Sequence, residues 1–303
     1  HVKKPKKIGI HEFNDFSLEI LADFIDWTYF FKEWRINGKF PEILQDQVKG
    51  KEASKLFDDA QDMLKVLIKE KWMIANGVLG IFPCNSINDD IVVYKNEEDQ
   101  NTLTKFHFLR NQFKNENVPN FCLSDFVLSS DTGIIDYIGC FAVTSGVNLE
   151  NKINEFTQAN DDYSAFMLKI LSDRLADAFS EYLHLLLRKE IWGYSTDEDL
   201  SMHDIWLKKY TGIKTSPGYS SCPDHTGKRE IFDLLDVENK TKITLTENYM
   251  MNPSSSVCGW YFSNADAQYF SVGRISEEQL TDYATRKMIS LNEAQKWLAP
   301  LLS

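Results

Sequence analysis

The sequence predicts an α+β fold with mostly antiparallel strand pairing, carried by one domain over 15–303 behind a linker or arm over 1–14. Three observations support this. Helical periodicities and β-rich runs are mixed without the regular strand–helix alternation that builds a parallel sheet. No internal repeat or low-complexity linker interrupts the chain after residue 15. Aromatic residues make up 13% of the 303 positions, enough for one substantial core.

The elements follow in order. Residues 1–14 are polar and basic, and Lys3, Lys4, Lys6 and Lys7 read as a solvated tether. From Ser17, the residues Leu18, Leu21, Phe24, Ile25 and Thr28 recur at helical spacing, and Asp26 to Phe31 crowd the end of that helix with aromatics. A second helix is expected over 53–69, with Leu56, Ala60, Leu64 and Leu67 on one face. Residues 77–82 and 90–94 read as short strands joined by a polar turn at 85–89, and 136–147 as a buried strand. The longest helical signal covers 161–192 and stops at Gly193.

A short helix is expected over 201–210, then a loop over 212–226, then a helix over 229–237. The loop carries Pro217, Gly218, Tyr219 and Pro223, so it cannot continue a helix and must run as a shaped connector. An aromatic ring held mid-loop beside unpaired backbone groups suits a flat heterocycle equally well. Residues 257–263 and 268–274 predict a hairpin across 264–267. Two terminal helices start at Ser276 and Ser290, each with a serine N-cap and with Glu278 or Glu293 as approximate capping-box partner.

A formal net charge of −12 argues against a nucleic-acid partner, which needs a basic face. No apolar run is long enough to span a membrane, and no signal peptide is visible. The five cysteines, Cys84, Cys122, Cys140, Cys222 and Cys258, are far apart and form no CxxC pair, as expected of reduced thiols in a cytoplasmic protein. The chain starts at His1 rather than Met, as expected either of a trimmed chain or of a piece cut from a longer polypeptide.

Several chemistries lack their motifs. The six histidines show no HxxxH or HExxH spacing, and Cys222, Asp224 and His225 are too close in sequence to close a tetrahedral metal site readily. There is no GxSxG elbow, no GxxxxGK[ST] and no GxGxxG. Gly77 and Gly80 lie within an apolar strand, where glycine serves close backbone packing. No metal ligand or catalytic residue is therefore assigned.

Carboxylates carry more information. Asp173, Asp177 and Glu181 lie along one helix face with Arg174 beside them, so they repel unless cations stand opposite. They form either a solvated face or one wall of a ligand cleft. Asp26, hemmed by aromatics, needs a donor partner, because burying it unpaired costs several kcal/mol. It is either a structural cap or a ligand contact.

The ordered stretches Ile25-Asp26-Trp27-Thr28, Gly77 to Pro83, Asp136-Tyr137-Ile138-Gly139, Asp173-Arg174-Leu175-Ala176, Glu181 to His184, Ser256 to Ser263 and Trp297 to Pro300 resemble the activation domain of cobalamin-dependent methionine synthase. The resemblance covers about 17–300. It implies a single C-shaped domain on a bent, mostly antiparallel sheet flanked by helices, binding S-adenosylmethionine. It also implies docking on the cobalamin-binding domain and reductive methylation of cob(II)alamin with an electron from flavodoxin or a flavoprotein reductase. Cobalamin itself would be held by the partner domain.

The resemblance further implies S-adenosylmethionine contacts at Asp26, Asp177, Lys214, Gly218, Tyr219, Ser221, Tyr269 and Phe270. Two positions depart from the family pattern. Lys214 stands where an arginine is usual, replacing a planar two-donor fork by a point charge, and Asp177 stands for a glutamate, shortening its reach. Binding weaker than in arginine-bearing relatives is expected. The alternative is a docking or scaffold module for a corrinoid protein with degraded ligand binding.

Overall fold

The computed structural model describes residues 2–113 and 119–302. Its centre is a seven-stranded sheet in the order β4-β3-β2-β5-β9-β6, with β1 also paired to β2, and every ladder is antiparallel. Strands β1 (Gly9–Phe16), β2 (Ile74–Ile87), β3 (Asp90–Tyr94), β4 (Thr102–His107) and β5 (Asp136–Val147) come first along the chain. Strands β6 (Ile213–Thr215) and β9 (Ser256–Phe262) complete the sheet, while β7 (Thr244–Leu245) and β8 (Met251–Asn252) pair separately.

β2 is long enough to serve two neighbours along one edge. Its first half pairs with β1, from Gly9 opposite Ile81 to Phe16 opposite Ala75, and its end pairs with β3 from Cys84 to Ile87. The expected polar turn at 85–89 is therefore mostly strand, and only the tip at Asn88 takes positive φ. The expected arm over 1–14 also needs correction. Gly9–Phe16 is a sheet strand, and the residues before it are tied down by bonds from Lys6 and Lys7 N–H to the Trp192 and Ile191 carbonyls, and from Trp192 Nε1 to the Lys3 carbonyl at 2.7 Å.

Period-two alternation divides the central strands between two cores. Leu79, Ile81, Phe141, Val143 and Tyr261 face a helical layer, while Val78, Cys140, Ala142, Trp260 and Phe262 face the other side. The first layer holds α1 (Leu18–Ala22), α2 (Trp27–Glu33), α3 (Gly50–Glu70), α4 (Leu149–Gln158) and the 25-residue α5 (Asp162–Leu186). After α6 (Met202–Trp206), helices α7 (Lys228–Leu235) and α8 (Val237–Thr241) cover the opposite face. Helices α9 (Glu277–Lys287) and α10 (Leu291–Leu298) form a satellite cluster with Leu109 and Val272.

Both serine caps are present: Ser276 accepts from Gln279 N–H and Ser290 from Glu293 N–H. Gly77 and Gly80 sit where an added Cβ would come within 2.9 Å of Phe179 and 2.5 Å of Phe82, so their purpose is close packing. The first predicted helix is in fact two, because Asp26 turns the chain between α1 and α2. The predicted hairpin does not form. β9 is taken on both edges by β5 and β6, leaving residues 263–275 as irregular chain crossing the sheet end. Among the described residues no helix is long and apolar enough to cross a membrane.

Candidate functional site

The acidic face of α5 meets three separate partners, which resolves its repulsion. Asp173 accepts from Ser255 Oγ at 2.6 Å, Asp177 pairs with Arg174 at 3.0 Å, and Glu181 pairs with Lys214 at 2.6 Å. Ser255 comes from the entry to β9 and Lys214 from β6, so the face is the seam between helix and sheet. Asp173, whose carboxyl pKa is raised by burial, and Asp177 also line a cleft of about 350 Å³ together with Gly218, Tyr219, Lys228 and Ser255.

Gly218 and Tyr219 belong to the 216–222 turn, whose shape is locally determined. Gly218 N–H donates to the Cys222 carbonyl at 2.7 Å, and Cys222 N–H to the Tyr219 carbonyl at 2.9 Å. Gly218 has φ +97°, and a Cβ there would lie 2.3 Å from the His225 ring, so no other residue fits without rearrangement. His225 in turn receives Lys228 Nζ on Nδ1 at 2.9 Å, which makes it a loop-ordering residue. The turn leaves the Tyr219 side chain outside, with the residue 53% exposed.

A second group of site residues joins the first through Lys214. Its ammonium contacts Glu181 at 2.6 Å and Ser180 Oγ at 2.7 Å, while its backbone N–H donates to the Tyr269 hydroxyl at 3.3 Å. Desolvation alone would lower the Lys214 pKa, but Glu181 outweighs it and the net shift is upward. The Tyr269 and Tyr210 hydroxyls share a hydrogen bond of 3.2 Å. Tyr269 is 42% exposed, so the site has two partly exposed tyrosines, Tyr219 and Tyr269.

Asp26 is the N-cap of α2, accepting from Thr28 N–H at 2.9 Å, and burial raises its carboxyl pKa. The positive charges of Arg174 and Lys32 oppose that shift. Ser221 and Phe270 are the two expected contacts whose side chains turn away. Ser221 is 3% exposed and shares a 2.7 Å hydrogen bond with Thr215 Oγ1, and Phe270 packs on Phe121 and Phe126. Phe270 still contributes its carbonyl, which accepts from Ser220 Oγ at 3.2 Å, and Val272 N–H donates to the Ser220 carbonyl at 2.8 Å. These bonds staple the irregular 263–275 segment to the turn.

Sequence reasoning missed Lys208 and Tyr210. Lys208 Nζ lies 4.3 Å from the Tyr269 ring centroid, and Tyr210 supports the Tyr269 hydroxyl. No local motif marks either one, since both belong to an unremarkable polar stretch after α6.

A family model described as "Vitamin B12 dependent methionine synthase, activation domain" matches residues 17–288. Among solved structures, the chain is similar to the crystal structure of the MetH reactivation domain bound to AdoHcy, at 44% identity and a TM-score of 0.97, covering 100% of this chain and 93% of that one. With an all-antiparallel α+β sheet matched over its whole length, the chain belongs to the activation-domain family of vitamin B12-dependent methionine synthases.

Proposed function

We propose that this chain binds S-adenosylmethionine at the α5–β6 seam and presents it for reductive methylation of cob(II)alamin held by a partner domain. The observation that carries this reading is the full-length similarity to a reactivation domain whose crystal structure contains AdoHcy, the demethylated form of that molecule. The chemistry of the seam is consistent with it. A purine needs aromatic faces and rigid backbone groups, and Tyr219, Tyr269 and the Gly218 turn supply them. An ammonium or ribose hydroxyl needs carboxylate acceptors, which Asp177 and Asp26 supply.

S-adenosylmethionine brings an electrophilic methyl group on a sulfonium. The residues of this chain bind and orient it. Asp177 and Asp26 set its polar groups, and Tyr219 and Tyr269 hold its flat part. Lys214 and Phe270 position the segments that carry those side chains, and Ser221 fixes the turn through Thr215. Proximity is the main contribution of such a module, because the reacting partners are brought together in one geometry. Flavodoxin or a similar flavoprotein is the proposed source of the electron, and the cobalamin-binding domain is the proposed docking partner.

Thermal denaturation with increasing S-adenosylmethionine and AdoHcy tests the binding step. A ligand at 100 times its Kd stabilises the folded state by about 2.7 kcal/mol, so the midpoint should rise with ligand concentration. A midpoint that stays fixed with both ligands at millimolar concentration would instead favour a docking module with degraded binding.

A further inference from the structure

The ligand in the reading above has one anionic group, the α-carboxylate of its amino-acid part. A site for that group needs a cation whose charge is not already spent. Lys214 does not meet this condition, since Glu181 and Ser180 hold its ammonium at 2.6 and 2.7 Å. Arg174 is engaged by Asp177 at 3.0 Å. Lys228 is 5% exposed and fixed by the Tyr249 carbonyl at 2.8 Å and His225 Nδ1 at 2.9 Å.

Lys208 differs from all three. Among the described residues no carboxylate pairs with it, and its ammonium rests on the face of Tyr269, 4.3 Å from the ring centroid. A ring face holds an ammonium less firmly than a carboxylate does. Lys208 is also tied to the seam through Tyr269, whose hydroxyl accepts from the Lys214 N–H at 3.3 Å. Burial and the Lys214 charge depress the Lys208 pKa, while Glu181 and Asp26 act in the opposite direction.

We propose that Lys208 is the residue that receives the α-carboxylate of S-adenosylmethionine, with Lys214 retained by Glu181 as a positioning pair. This rests on the binding reading given above. Moving the ammonium from the ring to a carboxylate exchanges a weak contact for a charge-assisted hydrogen bond. It also uncovers the Tyr269 face, so the same motion opens an aromatic surface to the ligand. The departure at position 214 then leaves the site with a cation, supplied from the segment after α6 rather than from β6.

Calorimetry with S-adenosylmethionine and its decarboxylated analogue tests the proposal on the full chain. The wild type should favour the carboxylate ligand by about tenfold or more, the scale of one charge-assisted pair. Lys208→Met should bring the two ligands within about twofold, and Lys208→Arg should restore the preference. Lys214→Met should weaken both ligands alike. Discrimination that survives Lys208→Met, or that is lost only in Lys214→Met or Lys228→Met, would overturn the assignment while leaving the proposed function standing. A wild type that binds neither ligand would remove both.

Discussion

Helix α5 and the π-helical turn that extends it carry two ion pairs of similar chemistry and different use. At the far end, Arg188 holds Glu198 through two parallel bonds of 2.8 and 2.7 Å, with side chains 0% and 7% exposed. About two turns earlier, Glu181 holds Lys214 through one contact of 2.6 Å, with side chains 17% and 13% exposed. The first pair is sealed beneath Tyr210, whose ring centre lies 4.3 Å from the guanidinium carbon. The second stands at the edge of the ligand seam. A buried two-bond fork serves the fold, while a single contact at a margin positions the segments around the ligand seam without being needed by the core.

The largest effect expected from this difference is on stability. Arg188→Met leaves Glu198 buried without its cation, and urea denaturation should show a loss of about 3–5 kcal/mol. A loss under about 1 kcal/mol, the range of an exposed pair, would mean the two pairs are alike and that Glu198 finds another donor.

His184 lies between the pairs, stacked on Tyr261 at 4.8 Å, with Nε2 3.3 Å from the Tyr194 hydroxyl. Burial, with Arg188 and Lys214 adding to it, pushes its pKa well below the usual histidine range. The unfolded chain therefore takes up this proton first as pH falls through about 6.5, while the folded chain does not. Stability should be complete above that pH and decline below it, by up to about 1.4 kcal/mol per pH unit. His184→Phe should flatten this part of the pH–stability curve, and an unchanged slope would place the titration elsewhere.

The smallest effect sharpens the second pair. In Lys214→Arg one edge of the guanidinium can keep Glu181 while the other faces the seam. S-adenosylmethionine should bind more tightly by calorimetry, by about tenfold or less, with little change in the unfolding midpoint. Weaker binding by this variant would show that the lysine geometry at 214 is itself required.

Residues with strong local signals are legible in the sequence. Strand β5 falls on the predicted 136–147, Ser276 and Ser290 cap their helices, and Asp26 finds the backbone donor its surroundings demand. Each of these depends on periodicity or on a capping rule acting within a few residues. The hairpin expected over 257–274 failed because β9 offered two sheet edges, and β5 and β6 filled both. The arm expected over 1–14 failed because β1 finds its partner far along the chain, as with Gly9 opposite Ile81.

The site divides along the same line. Local chemistry alone dictates a rigid turn over 216–222 with Tyr219 at its middle, since Pro217 and Gly218 limit the backbone before any packing occurs. Helical spacing likewise dictates that the acids of α5 share a face. Arg174 beside Asp177 is a local neighbour, but the meeting of Asp173 with Ser255 and of Glu181 with Lys214 is a matter of three-dimensional packing. Lys214 is 33 positions from Glu181 in the chain and 2.6 Å from it in space, and a long-range charge pairing leaves no trace in local pattern. For the same reason Lys208, an ordinary lysine in sequence, is revealed only by its place on the Tyr269 ring.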